Sequence, residues 1–153
     1  MVGRLSGIAT RRAPRAPMEV HVHRAVTRDA GVTGDHRGAL AARGKSFRRQ
    51  VTMLEAESWQ TALSVLGAEL PWQMRRANLL VEGLRLPRTA GTRIFIGDTC
   101  ELRITGECDP CSRMDEIFPG LEAALTPDWR GGFLAEVVRD GDVRIGDEIR
   151  TEQ

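Results

Sequence analysis

The chain has 153 residues and a net charge of +1, set by 22 basic against 21 acidic side chains, so it lacks the basic excess of a dedicated nucleic-acid binder. Its three cysteines are too few for a disulfide framework and fit a reducing compartment. The basic N-terminus (Arg4, Arg11, Arg12, Arg15) carries Pro14 and Pro17 but no apolar run, so neither a signal peptide nor a membrane span is expected. These features predict one cytoplasmic domain over 1–153, with neither membrane nor nucleic acid as partner.

Met18 to His23 alternates Val20 and Val22 with Glu19, His21 and His23, the pattern of a half-buried strand with its valines inward. Arg24 to Phe47 shows no periodicity and reads as a long functional loop. Its glycine clusters, Gly31 to Gly34 and Gly38 to Gly44, suit the hinges of a mobile cover. Arg49 to Glu55 is the next strand. Ser58 then caps a helix to about Leu66, with Trp59, Ala62, Leu63 and Leu66 on one face and Gly67 as the stop. Asn78 to Val81 is a further strand. Thr92 to Ile96 and Cys100 to Thr105 form a hairpin around Gly97-Asp98. From about Ser112 to Leu125 a second helix places Met114, Ile117, Leu121 and Leu125 on one face, split at Pro119-Gly120. Gly132 to Arg139 and Val143 to Arg150 read as another hairpin around Asp140-Gly141-Asp142. Many short strands joined by Gly-Asp turns predict a mainly β fold, a barrel with a few added helices.

The chemistry concentrates in a few segments. Cys108-Asp109-Pro110-Cys111 is a single C-x-x-C, whereas structural zinc takes four ligands. A zinc site completed by His21 and His23, a redox dithiol, two buried thiols, and a thiolate that binds a soft metal or carries sulfur are all open readings. Cys100 shares a strand face with Leu102 and Ile104 and reads as core. Arg76 and Asn78, two apart, would project from one side of a strand, where a guanidinium can fork onto phosphate and an amide can read a heterocycle edge. The glycine-bracketed loop Gly31 to Gly38 offers His36 and Arg37 to an anion. Arg130-Gly131-Gly132 is explained by a turn before a strand, and Glu55 with Glu57 by alternation at a strand end.

Taken in order, Gly31-Val32-Thr33-Gly34-Asp35-His36, Arg49-Gln50-Val51-Thr52, Arg76 to Gly83, Gly97-Asp98, Gly106 to Cys111, Arg130-Gly131-Gly132 and Gly146-Asp147 resemble the MOSC domain, the molybdenum cofactor sulfurase C-terminal family. The resemblance covers nearly the whole chain. It implies a MOSC-type β-barrel and a role with the molybdenum cofactor, a pterin dithiolene bearing phosphate. Carried over, Cys111 would be the catalytic thiol and metal ligand, since it follows Pro110 and precedes the helix. Arg76, Asn78, Arg130, His36 and Arg37 would hold the cofactor. Three departures are visible. The family's Gly-Asp-Arg-His here reads Gly-Asp-His-Arg, and the proline common before Asn78 is Ala77. No aminotransferase-like domain precedes the motif, so pyridoxal phosphate is not expected on this chain.

Two functions follow from the resemblance. One is a molybdenum-dependent reductase of N-hydroxylated compounds, drawing electrons from a separate reductase because no flavin, haem or iron-sulfur motif is present. The other is a sulfur carrier holding a persulfide on Cys111, loaded by a separate cysteine desulfurase.

Overall fold

The structure, a computed structural model, describes residues 1–42 and 47–152. Its strands are β1 (Gly3–Thr10), β2 (Glu19–His21), β3 (His23–Thr27), β4 (Gly31–Val32), β5 (Val51–Glu55), β6 (Leu79–Glu82), β7 (Arg93–Ile96), β8 (Cys100–Glu107), β9 (Phe133–Arg139), β10 (Gly141–Arg144) and β11 (Glu148–Glu152). Four short helices, α1 (His36–Ala42), α2 (Ala56–Leu66), α3 (Arg113–Ile117) and α4 (Leu121–Leu125), are added to them. Hydrogen bonding runs β11-β7-β8-β9-β5-β6-β1, and the β1–β11 pairing closes the ring into a seven-stranded barrel. Closure removes the exposed edges that an open sheet of this size would present. β2 extends the sheet beside β1, while β10, β3 and β4 form a small separate sheet.

The alternation of β5 and β6 explains the two-layer core. Met53, Leu79 and Val81 point into the barrel with Leu5, Ile94, Leu102, Ile104 and Phe133. Leu54 and Leu80 point outward, where α2 and α4 cover them with Trp59, Leu63, Leu121 and Leu125. A wall covered on both faces reads as a continuous apolar run, as Leu79-Leu80-Val81 does. β5 and β6 are also the barrel's parallel neighbours, with Met53 opposite Leu79, and α2 lies in the connection between them. Cys100 lies in the interior as expected, and burial pushes its thiol up to about 12.

Several sequence expectations hold locally. Gly67 ends α2 in a left-handed conformation, β7 and β8 pair antiparallel from Ile96 opposite Cys100, and the second helix divides into α3 and α4. Others do not. Val20 and Val22 are 56% and 65% exposed, because β2 is an outlying strand whose polar face turns inward, His21 meeting the Thr10 hydroxyl at 2.7 Å. The Arg24–Phe47 loop contains β3, β4 and α1; Gly44, the far end of its expected second hinge, lies outside the described residues. The last hairpin is also absent: β10 pairs with β3, and β9 pairs with β5 and β8. The helix expected to be capped by Ser58 begins three residues earlier, with Glu55 at the cap position, and the Ser58 hydroxyl instead donates to the Glu55 carboxylate at 2.7 Å.

A candidate anion site of arginines and thiols

The end of β8, the start of β9 and the turn before β6 converge beside Thr52 and Met53 of β5. The Cys108 amide donates to the Gly132 carbonyl at 2.9 Å, and the Asn78 amide to the Thr52 carbonyl at 3.0 Å. Two glycines permit this approach. A Cβ on Gly131 would stand 2.8 Å from the Cys108 oxygen, and one on Gly132, whose φ is 118°, would collide with the Met53 oxygen. The Arg-Gly-Gly turn is thus a packing requirement.

Arg75 occupies the centre of this junction. It is only 8% exposed, and its guanidinium donates from Nε to the Gly131 carbonyl at 2.8 Å and from Nη2 to the Cys108 carbonyl at 3.0 Å. The same Nη2 lies 3.5 Å from Cys108 Sγ, and Nη1 lies 4.0 Å from Met114 Sδ. Arg76, not Arg75, is the arginine that the motif singles out. The segment Trp72–Arg75 is a 3-10 turn that Arg76 ends in a left-handed conformation at φ 68°, so Arg76 and Asn78 do not share a strand face.

Asn78 is buried in the framework. Its Oδ1 accepts from the Thr52 amide at 3.0 Å and hydroxyl at 3.2 Å, while Nδ2 donates to the Ala9 carbonyl at 3.1 Å. The amide therefore joins β1, β5 and β6 rather than facing a ligand. Arg130 also turns elsewhere. It donates to the Ala124 carbonyl at 3.1 Å and lines a separate cleft with Glu55, Glu57, Arg85 and Asp128.

Arg76 and Arg37 each lie within electrostatic reach of Arg11, which follows β1. Burial first, then the charges of Arg76 and Arg113, hold Arg11 below the usual arginine range, with Asp35 opposing. Arg37 is lowered by burial, then by Arg49 and Arg11, against the opposing influence of Cys108 and Asp35. Arg76 is lowered by burial and then by Arg113, again against Asp35. Among the described residues, none of Arg11, Arg37, Arg49, Arg76 and Arg113 forms an ion pair. Asp35 sets their spacing: its carboxylate accepts the Arg11 amide at 3.1 Å and the Gly38 amide at 3.2 Å, tying the end of β1 to the first turn of α1. His36 starts α1, and its amide donates to the Arg11 carbonyl at 2.7 Å.

The two thiols differ. Cys108 is buried against Arg75 and within the influence of Arg37, while Cys111 is exposed, two residues before Arg113. The α3 helix has five residues, too short for its end to supply the positive field expected at Cys111. Among the described residues no three His, Cys, Asp or Glu side chains converge, so Cys108, Cys111, His21 and His23 do not form a zinc cage. His21 bonds Thr10, and His23 lies 3.3 Å from Asp142. Guanidiniums without ion-pair partners, one of them within the influence of Cys108, suit an anion such as a phosphate.

The molecule is a closed β-barrel that carries a C-x-x-C segment after β8. The MOSC domain model matches residues 21–150, and the chain belongs to the MOSC domain family. The fold is shared with the YuaD protein of Bacillus subtilis at 20% identity and a TM-score of 0.78, covering 99% of this chain and 96% of that one. It is also similar to YiiM from Escherichia coli, at 13% identity and a TM-score of 0.70, covering 98% of this chain and 70% of that one. YiiM from Geobacillus stearothermophilus shares 14% identity at a TM-score of 0.66, covering 99% and 73%. No curated protein matches the sequence. Among the described residues no helix is long and apolar enough to cross a membrane.

Proposed function

We propose that this MOSC protein binds the molybdenum cofactor in the arginine basin and uses it to reduce N-hydroxylated compounds. The observation that carries the reading is the cluster of Arg11, Arg37, Arg76 and Arg113 without ion-pair partners, beside the Cys108–Cys111 loop. Gathering guanidiniums without carboxylates costs stability, and an anionic ligand offsets that cost. Arg11, Arg76 and Arg113 would take the phosphate-bearing end in charge-assisted hydrogen bonds, and Arg37 would face the sulfur side. Cys111 would supply the protein's soft ligand at the open rim. When bound, the cofactor would supply two-electron oxygen-atom chemistry. The N-hydroxyl group would leave as water after uptake of two electrons and two protons, the electrons coming from a separate reductase.

A second reading is favoured by the exposure of Cys111, which a partner protein can reach. As a sulfur carrier, Cys111 would take the terminal sulfur of a desulfurase persulfide and release the donor as its free thiol, with no net redox change. Protein purified from a host that makes the cofactor separates the two. Molybdenum with pterin supports the first, and sulfane sulfur alone supports the second. Cys111→Ser should abolish either loading and Cys108→Ser should reduce it less. Wild-type protein that carries neither molybdenum with pterin nor sulfane sulfur would overturn both.

A further inference from the structure

We propose that Arg75 is the positioning residue of this site. From one buried guanidinium it holds the loop bearing both thiols against the Arg130–Gly132 turn, and so presents Cys111 at the rim of the basin. The inference rests on the reading above only in taking that rim as the ligand's place. Beside the backbone bond from the Cys108 amide to the Gly132 carbonyl, one side chain bridges the two loops, through the Gly131 carbonyl at 2.8 Å and the Cys108 carbonyl at 3.0 Å. A guanidinium can do this because its donors lie in a rigid plane and reach two acceptors at once, which a single ammonium does poorly. Its surroundings leave it little other role. Among the described residues it has no carboxylate within ion-pair distance, and its remaining contacts are the sulfurs of Cys108 and Met114.

The contact with Met114 extends the clamp past the loop. Met114 is the buried residue of α3, and its amide donates to the Cys111 carbonyl at 3.0 Å. Arg75 therefore touches the chain on both sides of Cys111, at Cys108 and at Met114. The glycine at 131 completes the arrangement, since a Cβ there would stand 3.3 Å from Arg75 Nη2 and 3.0 Å from Pro110 Cδ.

The three cysteines provide an internal gauge. Cys111 is exposed, Cys108 is buried under Arg75, and Cys100 lies in the barrel core. Iodoacetamide labelling of the full chain, read by peptide mass spectrometry, should give the order Cys111, Cys108, Cys100 in the wild type. In Arg75→Met, Cys108 labelling should rise by about tenfold or more, the factor corresponding to one lost charge-assisted hydrogen bond, while Cys100 stays protected. Arg75→Lys, which restores the charge without the fork, should fall between the two. Unfolding would expose Cys100 as well; if Arg75→Met does so, Arg75→Lys alone decides. Cys108 labelling within about twofold of wild type, with Cys100 protected, overturns the assignment. That failure is distinct from failure of the proposed function, which is read from molybdenum, pterin and sulfane sulfur on the wild-type protein.

Discussion

Neutralising Arg11 should weaken anion binding and stabilise the fold at the same time. Its guanidinium stands among those of Arg37, Arg76 and Arg113, with Asp35 as the one opposing charge. The balance is a net two like-charge pairs. For partly exposed groups each pair carries roughly 0.2–1 kcal/mol, so Arg11→Gln should gain about 0.4–2 kcal/mol. In a domain of this size that is about 1–8 °C in thermal midpoint, and added salt should shrink the gain because it screens the repulsion already. Losing one charge-assisted hydrogen bond to the ligand should cost about 1.5–3 kcal/mol, tenfold or more in affinity. Thermal unfolding at low and high salt measures the first effect; titration with inorganic phosphate and pterin content after purification measure the second. A midpoint that falls by several degrees with unchanged phosphate affinity and pterin content would refute the reasoning, because Arg11 would then be a structural residue.

Other outcomes test the framework that carries the basin. Glu55 and Arg88 form a buried ion pair at 2.6 Å, to which the Leu86 amide also donates. Glu55→Ala should cost about 3 kcal/mol, because the buried guanidinium then keeps only the longer Asp128 contact at 3.7 Å as its ion pair, and denaturant unfolding measures it. Gly132→Ala should destabilise by about 2 kcal/mol or more and raise Cys108 labelling, since its φ of 118° and the Met53 oxygen both oppose a side chain. Burial first, and then Arg24, hold the His21 imidazole below its usual range against Glu19. The unfolded chain therefore takes the proton more readily, so this contribution is intact above the ordinary value of 6.5 and is lost as pH falls below it. His21→Gln should flatten the pH dependence of the midpoint in that window.

The mainly β character is legible because its strands and turns rest on local signals, whereas closure rests on β1 meeting β11 at the far end of the chain. Period-two alternation, Gly97 at φ 60° and Gly67 ending α2 are each settled within a few residues. The order of motifs sufficed for the family. The rest required the tertiary structure. Val20 and Val22 alternate as a buried strand does, but their exposure depends on which strand lies beside β2. Asn78 and Arg130 match a motif, yet Thr52 and Ala9 take up one side chain and Ala124 draws the other away. Arg75 and Arg76 are chemically identical neighbours, and a left-handed residue after a 3-10 turn sends one inward to Cys108 and the other to the Ala16 carbonyl at 2.6 Å. Arg11, Arg37, Arg76 and Arg113 belong to four separate parts of the chain, so their meeting leaves no periodic trace in sequence. Repulsion and ligand attraction depend on distance through space, and only the closed barrel sets those distances.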